Sequence, residues 1–288
     1  MESTLAGIEN STGIDAIANP LARAVHESLE HAESLKNVLH GVWLGHPLHP
    51  VLTDIPVGAW TTVAVLDAAA GTTPGHGYDR AAETAIAVGL AGAVGSAITG
   101  LTDWSETDGG SRRLGLVHGL INATATSLYV ASLMARRRGH RAAGRGYSAV
   151  GYALLMAGAY LGGSLVYKNQ IGVNRAANAD LPEMFTRVAR LEELVESQPK
   201  TAEINDTPIV MVRQGAEVFT LMARCAHAGG PLGDGKVEGR TIQCPWHGST
   251  YDLSSGHVVE GPSAHPQPCL ETRVIDGWVE VRGRSATT

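Results

Sequence analysis

Hydrophobic and polar positions alternate in three different ways along the chain. Residues 1–40 are polar and acidic, and from Pro20 onward Leu21, Val25, Leu29, Leu35 and Leu39 recur at roughly helical spacing. That spacing predicts a short amphipathic helix. Four apolar stretches follow, over residues 51–70, 84–101, 114–135 and 146–167. The last three hold no Asp, Glu, Lys or Arg over 18 to 22 residues, the length that crosses about 30 Å of hydrocarbon. The pattern therefore predicts four transmembrane helices, the first of them interrupted by Asp54, Pro56 and Asp67.

These stretches are rich in Ala, Gly, Ser and Thr, as in Gly89-Leu-Ala-Gly92 and Gly158-Ala-Tyr-Leu-Gly-Gly163. Small residues let helix backbones approach closely in lipid, where packing replaces the hydrophobic effect as the glue. The competing reading is a soluble Ala-rich bundle. No basic start followed by an apolar run stands at the head of the chain, so no signal peptide is expected.

Over residues 172–199 the chain turns polar, with Leu181, Met184, Val188, Leu191, Leu194 and Val195 spaced helically before Pro199. This predicts a helical linker. From residue 200 to 284 short alternating runs appear, such as Ile209-Val-Met-Val212 and Trp278-Val-Glu-Val281, separated by Gly, Pro and Asp. They predict a small antiparallel β domain. The expected organisation is a multidomain chain: a polar segment 1–40, an all-α four-helix membrane domain 41–171, the linker 172–199 and an all-β domain 200–284.

Composition adds to this division. Charged residues are 17% of the 288 residues and mean hydropathy is zero, which taken alone suggests an ordinary soluble protein. Residues 41–171, however, carry 16 charges in 131 positions, whereas the other 157 carry 34. The average describes neither part. A net charge of -6 gives no basic footprint for phosphates, which excludes a nucleic-acid partner. The three cysteines, Cys225, Cys244 and Cys269, are too few for a disulfide scaffold and read better as ligands.

Within the β region stand Cys225-Ala-His227 and, after 16 intervening residues, Cys244-Pro-Trp-His247, each on a loop rich in Gly or Pro. Two Cys-His pairs make four ligands, and thiolate with imidazole admits zinc or an iron-sulfur centre. A Cys-x-His pair is too short for the usual zinc knuckle, and Gly follows each pair in His227-Ala-Gly-Gly-Pro-Leu232 and His247-Gly-Ser249.

On these motifs the β region resembles a Rieske domain. That resemblance implies a two-iron two-sulfur cluster with Cys225 and Cys244 on the buried iron and His227 and His247 on the outer one. Neutral imidazole in place of thiolate removes negative charge and eases reduction, so Rieske potentials run from about -150 to +300 mV against about -400 mV for plant-type ferredoxins. Rieske proteins of cytochrome bc complexes also carry a Ser and a Tyr whose hydroxyls bond to cluster sulfurs. Ser249 and Tyr251 match them in His247-Gly-Ser-Thr-Tyr-Asp252. Those proteins have an extra Cys in each loop forming a disulfide; here Gly229 or Gly230 and Trp246 stand there. The disulfide-free pattern is similar to Rieske ferredoxins and the small Rieske subunits of reductases and oxygenases. It implies a redox partner protein: a reductase, an oxygenase or a respiratory component.

In the membrane region, His46-Pro-Leu-His-Pro50, Thr53-Asp-Ile-Pro56, Leu101-Thr-Asp-Trp104, Arg112-Arg113 and His118-Gly-Leu-Ile-Asn122 together resemble a family of bacterial four-helix membrane domains without an established function. Polar groups in lipid are costly, which makes Asp54, Asp67, His118 and Asn122 candidates. His46, His49 and His118 are open to two readings: axial ligands of a haem b or contacts to a quinone or metal, and plain caps and carbonyl partners. The charge rule puts the basic loop 136–145 in the cytoplasm, that side carrying six Lys and Arg with Arg80 included against five on the other.

The resulting expectation is a membrane-anchored one-electron carrier in a bacterial cell membrane. Two alternatives stand beside it: a subunit of a quinol or respiratory oxidoreductase, and a redox-sensing membrane protein. A Rieske oxygenase catalytic subunit would need a mononuclear iron site in a large domain after the cluster, for which about 20 residues after Cys269 leave no room.

Overall fold

Each run without charge becomes a helix in the computed structural model, which describes residues 2–72, 77–177 and 180–283. Three shorter helices precede them: α1 (Glu2–Glu9), α2 (Asp15–Leu29) and α3 (Glu33–His40). The long helices are α4 (Leu48–Thr72), α5 (Tyr78–Ser105), α6 (Gly109–Arg137) and α7 (Arg141–Tyr167). All four are long and apolar enough to cross a membrane. The described chain divides into two units: the part up to Ala32 with Pro47–Ile171, and Glu33–His46 with the part from Gly172 onward.

In the helical unit α4 packs on α5 and α6 on α7. The centre is made by Trp60, Val63, Ile86, Tyr129 and Leu155, with the Trp60 and Tyr129 rings stacked at 4.0 Å. Glycine is required where Trp60 lies on α5, because a Cβ on Gly89 would fall 2.1 Å from the indole nitrogen. Toward one end, buried Arg136 of α6 meets Asp67 of α4 at 2.6 Å, and Asp67 also accepts from Ser148 of α7 at 2.6 Å. Large apolar side chains point outward instead of inward: Val65, Val94, Leu120, Val150 and Met156 are 51% to 64% exposed. So much outward apolar surface fits a lipid-facing bundle better than a soluble one.

The second unit holds ten strands: β1 (Thr186–Arg190), β2 (Pro199–Ile204), β3 (Thr207–Gln214), β4 (Glu217–Met222), β5 (Lys236–Glu238), β6 (Thr241–Gln243), β7 (Thr250–Asp252), β8 (Val258–Glu260), β9 (Cys269–Ile275) and β10 (Trp278–Gly283). They form a six-stranded sheet, β1-β10-β9-β4-β3-β2, and a four-stranded sheet, β5-β6-β7-β8, antiparallel throughout. Ile209, Met211, Leu221, Ile242, Tyr251, Val279 and Val281 fill the core. Tight hairpins set the register. Asn205 and Asp206 join β2 to β3, and Asp276 and Gly277 join β9 to β10, each pair with positive φ at both positions, the conformation that two-residue loops demand and these residue types tolerate.

Two expectations change. Residues 172–199 are not a helical linker: among the described residues they supply β1, a 3-10 turn (Leu191–Glu193) and the start of β2, while 178–179 lie outside the description. The helical spacing arose because Leu181, Val188, Leu191 and Leu194 all pack on the β core, where pairing of β1 with β10 overrides local propensity. The polar segment 1–40 also divides, since α3 joins the β unit and the rest joins the helical unit. Residues 1 and 284, the ends of two expected regions, lie outside the description as well.

Candidate metal centre

The loops after β4 and β6 are built alike. In the first, the Cys225 N–H donates to the Gly230 carbonyl and the Gly229 N–H to the Cys225 carbonyl, each at 2.9 Å. In the second, the Cys244 N–H donates to the Ser249 carbonyl at 2.9 Å and the Gly248 N–H to the Cys244 carbonyl at 3.1 Å. The fourth residue after each Cys, Gly229 or Gly248, has φ of 80° or 77°, a left-handed turn that glycine takes without strain. Each loop thus folds back on its own cysteine, and the His two or three positions later lies on the same turn.

The loops bring like residues together. The His227 and His247 rings stand 5.0 Å apart, edge to face, and the Cys225 and Cys244 thiols are hydrogen-bonded neighbours. That hydrogen bond, with further ones from the Tyr251 hydroxyl and the His227 and Ala228 N–H groups, outweighs burial and holds Cys225 down to about 6. The same bond, burial and the adjacent charge push Cys244 up. Burial pushes His227 down to about 3, helped by the nearby His247, His40, Lys36 and Arg175, so its imidazole is neutral and ready to act as a ligand.

Ser249 and Tyr251 are both fully buried. The Tyr251 hydroxyl lies 3.1 Å from Cys225 Sγ, and Ser249 Oγ accepts from the Ser263 N–H at 3.0 Å. Neither Ser263 nor Gln267 stood out in the sequence. Gln267 braces the first loop at three points: Nε2 donates to the Met222 and Arg224 carbonyls, both at 2.7 Å, and Oε1 accepts from the Ala226 N–H at 2.8 Å. In sequence it is one polar residue in Pro266-Gln-Pro268, and no spacing rule marks it. None of the three cysteines is in a disulfide, and a Cβ on Gly230 would come within 2.9 Å of Cys244 Sγ. The absence of a clamping Cys there is thus matched by tighter loop packing.

These residues fit a two-iron cluster. Among the described residues no three of His, Cys, Asp and Glu converge on one metal position; the four instead form a thiol pair and an imidazole pair. His227 Nδ1 is buried without a hydrogen-bond partner, an expensive state unless a ligand is bound there.

Among the described residues the membrane-region candidates form no group of three ligating side chains, although His49 and His118 stand close enough to interact electrostatically. His49 Nδ1 is 2.9 Å from the Ser96 carbonyl and His118 Nδ1 is 2.9 Å from the Gly158 carbonyl, contacts that tie α4 to α5 and α6 to α7. Asn122 Nδ2 donates to the His118 carbonyl of its own helix at 2.9 Å. His46 and Asp54 are exposed, and Asp67 belongs to the Arg136 network.

Comparison with known proteins places both regions. Residues 184–272 match the model of the Rieske [2Fe-2S] domain, and residues 45–175 match that described as Predicted membrane protein (DUF2231). The ferredoxin subunit of anthranilate 1,2-dioxygenase from Burkholderia cepacia is 31% identical over 91 residues, 32% of this chain and 84% of the relative. Ferredoxin CarAc from Metapseudomonas resinovorans is 27% identical over 116 residues, 40% of this chain and 96% of the relative. Among solved structures, the ferredoxin of carbazole 1,9a-dioxygenase from Nocardioides aromaticivorans IC177 aligns over 35% of this chain and 99% of its own, at 24% identity and a TM-score of 0.34.

Proposed function

We propose that this chain, which belongs to the Rieske [2Fe-2S] family, is a membrane-anchored one-electron carrier with Cys225 and Cys244 on one iron and His227 and His247 on the other. The observation that carries the assignment is the pair of like-built loops, each offering one buried thiol and one imidazole. When bound, the cluster supplies reversible one-electron transfer. The four apolar helices and the match of residues 45–175 to a predicted membrane protein family support anchoring in a bacterial cell membrane.

The chain's own groups set how easily an electron is accepted. Tyr251 donates to Cys225 Sγ, and such a bond strengthens as negative charge grows on sulfur, which favours the reduced state. Ser249 Oγ accepts from the Ser263 N–H and hydrogen-bonds with the Tyr251 hydroxyl, which helps to hold that hydroxyl on Cys225. Trp246, 58% exposed, stands 6.3 Å from the His247 ring, which makes the imidazole end the side that meets a partner. That partner is a redox protein: an oxygenase, as the dioxygenases that the similar ferredoxins are named for suggest, a reductase or a respiratory component.

Tyr251→Phe is expected to remove about 1 kcal/mol of selective stabilisation, about 40 mV of midpoint potential for one electron. Ser249→Ala is expected to lower the potential as well, and to cost about 1–3 kcal/mol of stability by leaving the Ser263 N–H unpaired. Protein-film voltammetry and thermal unfolding check the two effects; unchanged potentials would show that neither hydroxyl bonds to the cluster. The carrier role itself is tested in membranes. Reduction of the cluster by a soluble reductase supports the ferredoxin-like reading, whereas reduction by quinol favours the respiratory one.

A further inference from the structure

We propose that α3, a helix that precedes the membrane spans in the chain, is a working part of the redox centre: it fixes the loop after β8 and places the charge of Lys36 where it favours the reduced cluster. This rests on the cluster assignment above and adds a segment outside the Rieske match, which starts at residue 184.

Four spans return the chain to the side it left, so residues 33–46 and the strands after residue 172 are able to fold together, and they form one unit. The contact is specific. Asn37 donates from Nδ2 to the Val259 carbonyl at 3.0 Å and accepts the Gly261 N–H on Oδ1 at 2.9 Å. This reciprocal pair clamps the end of β8 in the manner of another backbone strand. A Cβ on Gly261 would come 3.3 Å from the His40 ring, so glycine permits the close approach. Two residues on, the Ser263 N–H reaches Ser249 Oγ, and Ser263 also bonds with Tyr251. The clamp therefore leads directly into the hydroxyls around Cys225.

The buried face of α3 carries Lys36 and His40, 8% and 2% exposed. Burying a lysine is costly and calls for a reason. One carboxylate, Glu260, stands 3.7 Å from its Nζ, an ion pair at the long end of the range. Glu260 pairs with Thr250 across β7 and β8, between Ser249 and Tyr251, so the Lys36 ammonium stands beside the strand that carries the hydroxyls around Cys225. A fixed cation favours whichever state of a neighbouring centre is more negative, and here that is the reduced one.

The test is redox titration of the full-length, cluster-loaded protein in detergent, followed by paramagnetic resonance. Lys36→Gln is expected to make reduction at least threefold less favourable, about 28 mV at 59 mV per tenfold for one electron. Lys36→Arg is expected to restore the wild-type value. Glu260→Gln, which removes the compensating anion, is expected to shift the potential the opposite way. A merely structural role predicts no sign reversal between the Lys36 and Glu260 variants. Equal potentials in all three, or shifts of one sign for Lys36→Gln and Glu260→Gln, would overturn the inference. A wild-type protein without a cluster signal would instead refute the assignment on which it rests.

Discussion

Replacing Cys244 with alanine is expected to abolish iron binding at the β unit, with iron content and visible absorption falling by more than tenfold. The magnitude follows from what surrounds the site. The chain has three cysteines, and the one outside the loops, Cys269, begins β9 opposite Leu221, where its backbone is fixed by sheet pairing. It has no route to the vacated position. A thiolate is a ligand that water or a carbonyl does not replace in an iron-sulfur centre. Cys225→Ala is expected to give the same loss, whereas Cys269→Ser is expected to leave iron content unchanged. Iron and sulfide analysis of the three purified variants checks the contrast, and retention of the cluster by Cys244→Ala would remove it from the ligand set.

The second large effect lies in the helical unit. Arg136 is fully buried at its side chain and pairs with Asp67 at 2.6 Å, while Ser132 and Ser148 accept from it at 3.2 and 3.1 Å. Arg136→Met strands the Asp67 carboxylate, and breaking a buried pair from one side typically costs about 3–5 kcal/mol. Asp79, the other carboxylate nearby, keeps Arg145 at 3.0 Å and Arg141 at 3.5 Å, so the loss concentrates on Asp67. Replacing both partners, Arg136→Met with Asp67→Leu, is expected to recover most of the stability, because no charge is then left unpaired. Helical circular dichroism during heating in detergent reads both variants. Equal damage in the single and double variants would mean that the pair is not the unit that matters.

Much of the arrangement was legible because it depends on local chemistry. Three charge-free runs and the interrupted fourth became α4 to α7, since a long run without charge is a property of the local sequence. The short alternating runs separated by Gly, Pro and Asp became the strands of an antiparallel domain. The Cys-x-His and Cys-x-x-His motifs placed all four candidate ligands on two loops. What stayed hidden depends on contacts across long stretches of chain. Asn37 meets Gly261 over 224 positions, and nothing near Asn37 announces a β-strand end. Gln267 and Ser263 look like any polar loop residues until the carbonyls they serve are placed. The misread linker shows the converse: Val188, Leu191 and Leu194 had a helical spacing, and a paired strand with a following turn buried the same residues.

The measurement that bears most directly on the proposed centre is the electron paramagnetic resonance spectrum of the full-length protein reduced with dithionite. Two imidazoles on one iron and two thiolates on the other make the irons unlike, and the expected spectrum has a g average clearly below that of ferredoxins ligated by cysteine alone. Nitrogen couplings from His227 and His247 are expected in the same sample. A g average at the all-cysteine ferredoxin value, without nitrogen coupling, would contradict the assignment of His227 and His247 as ligands.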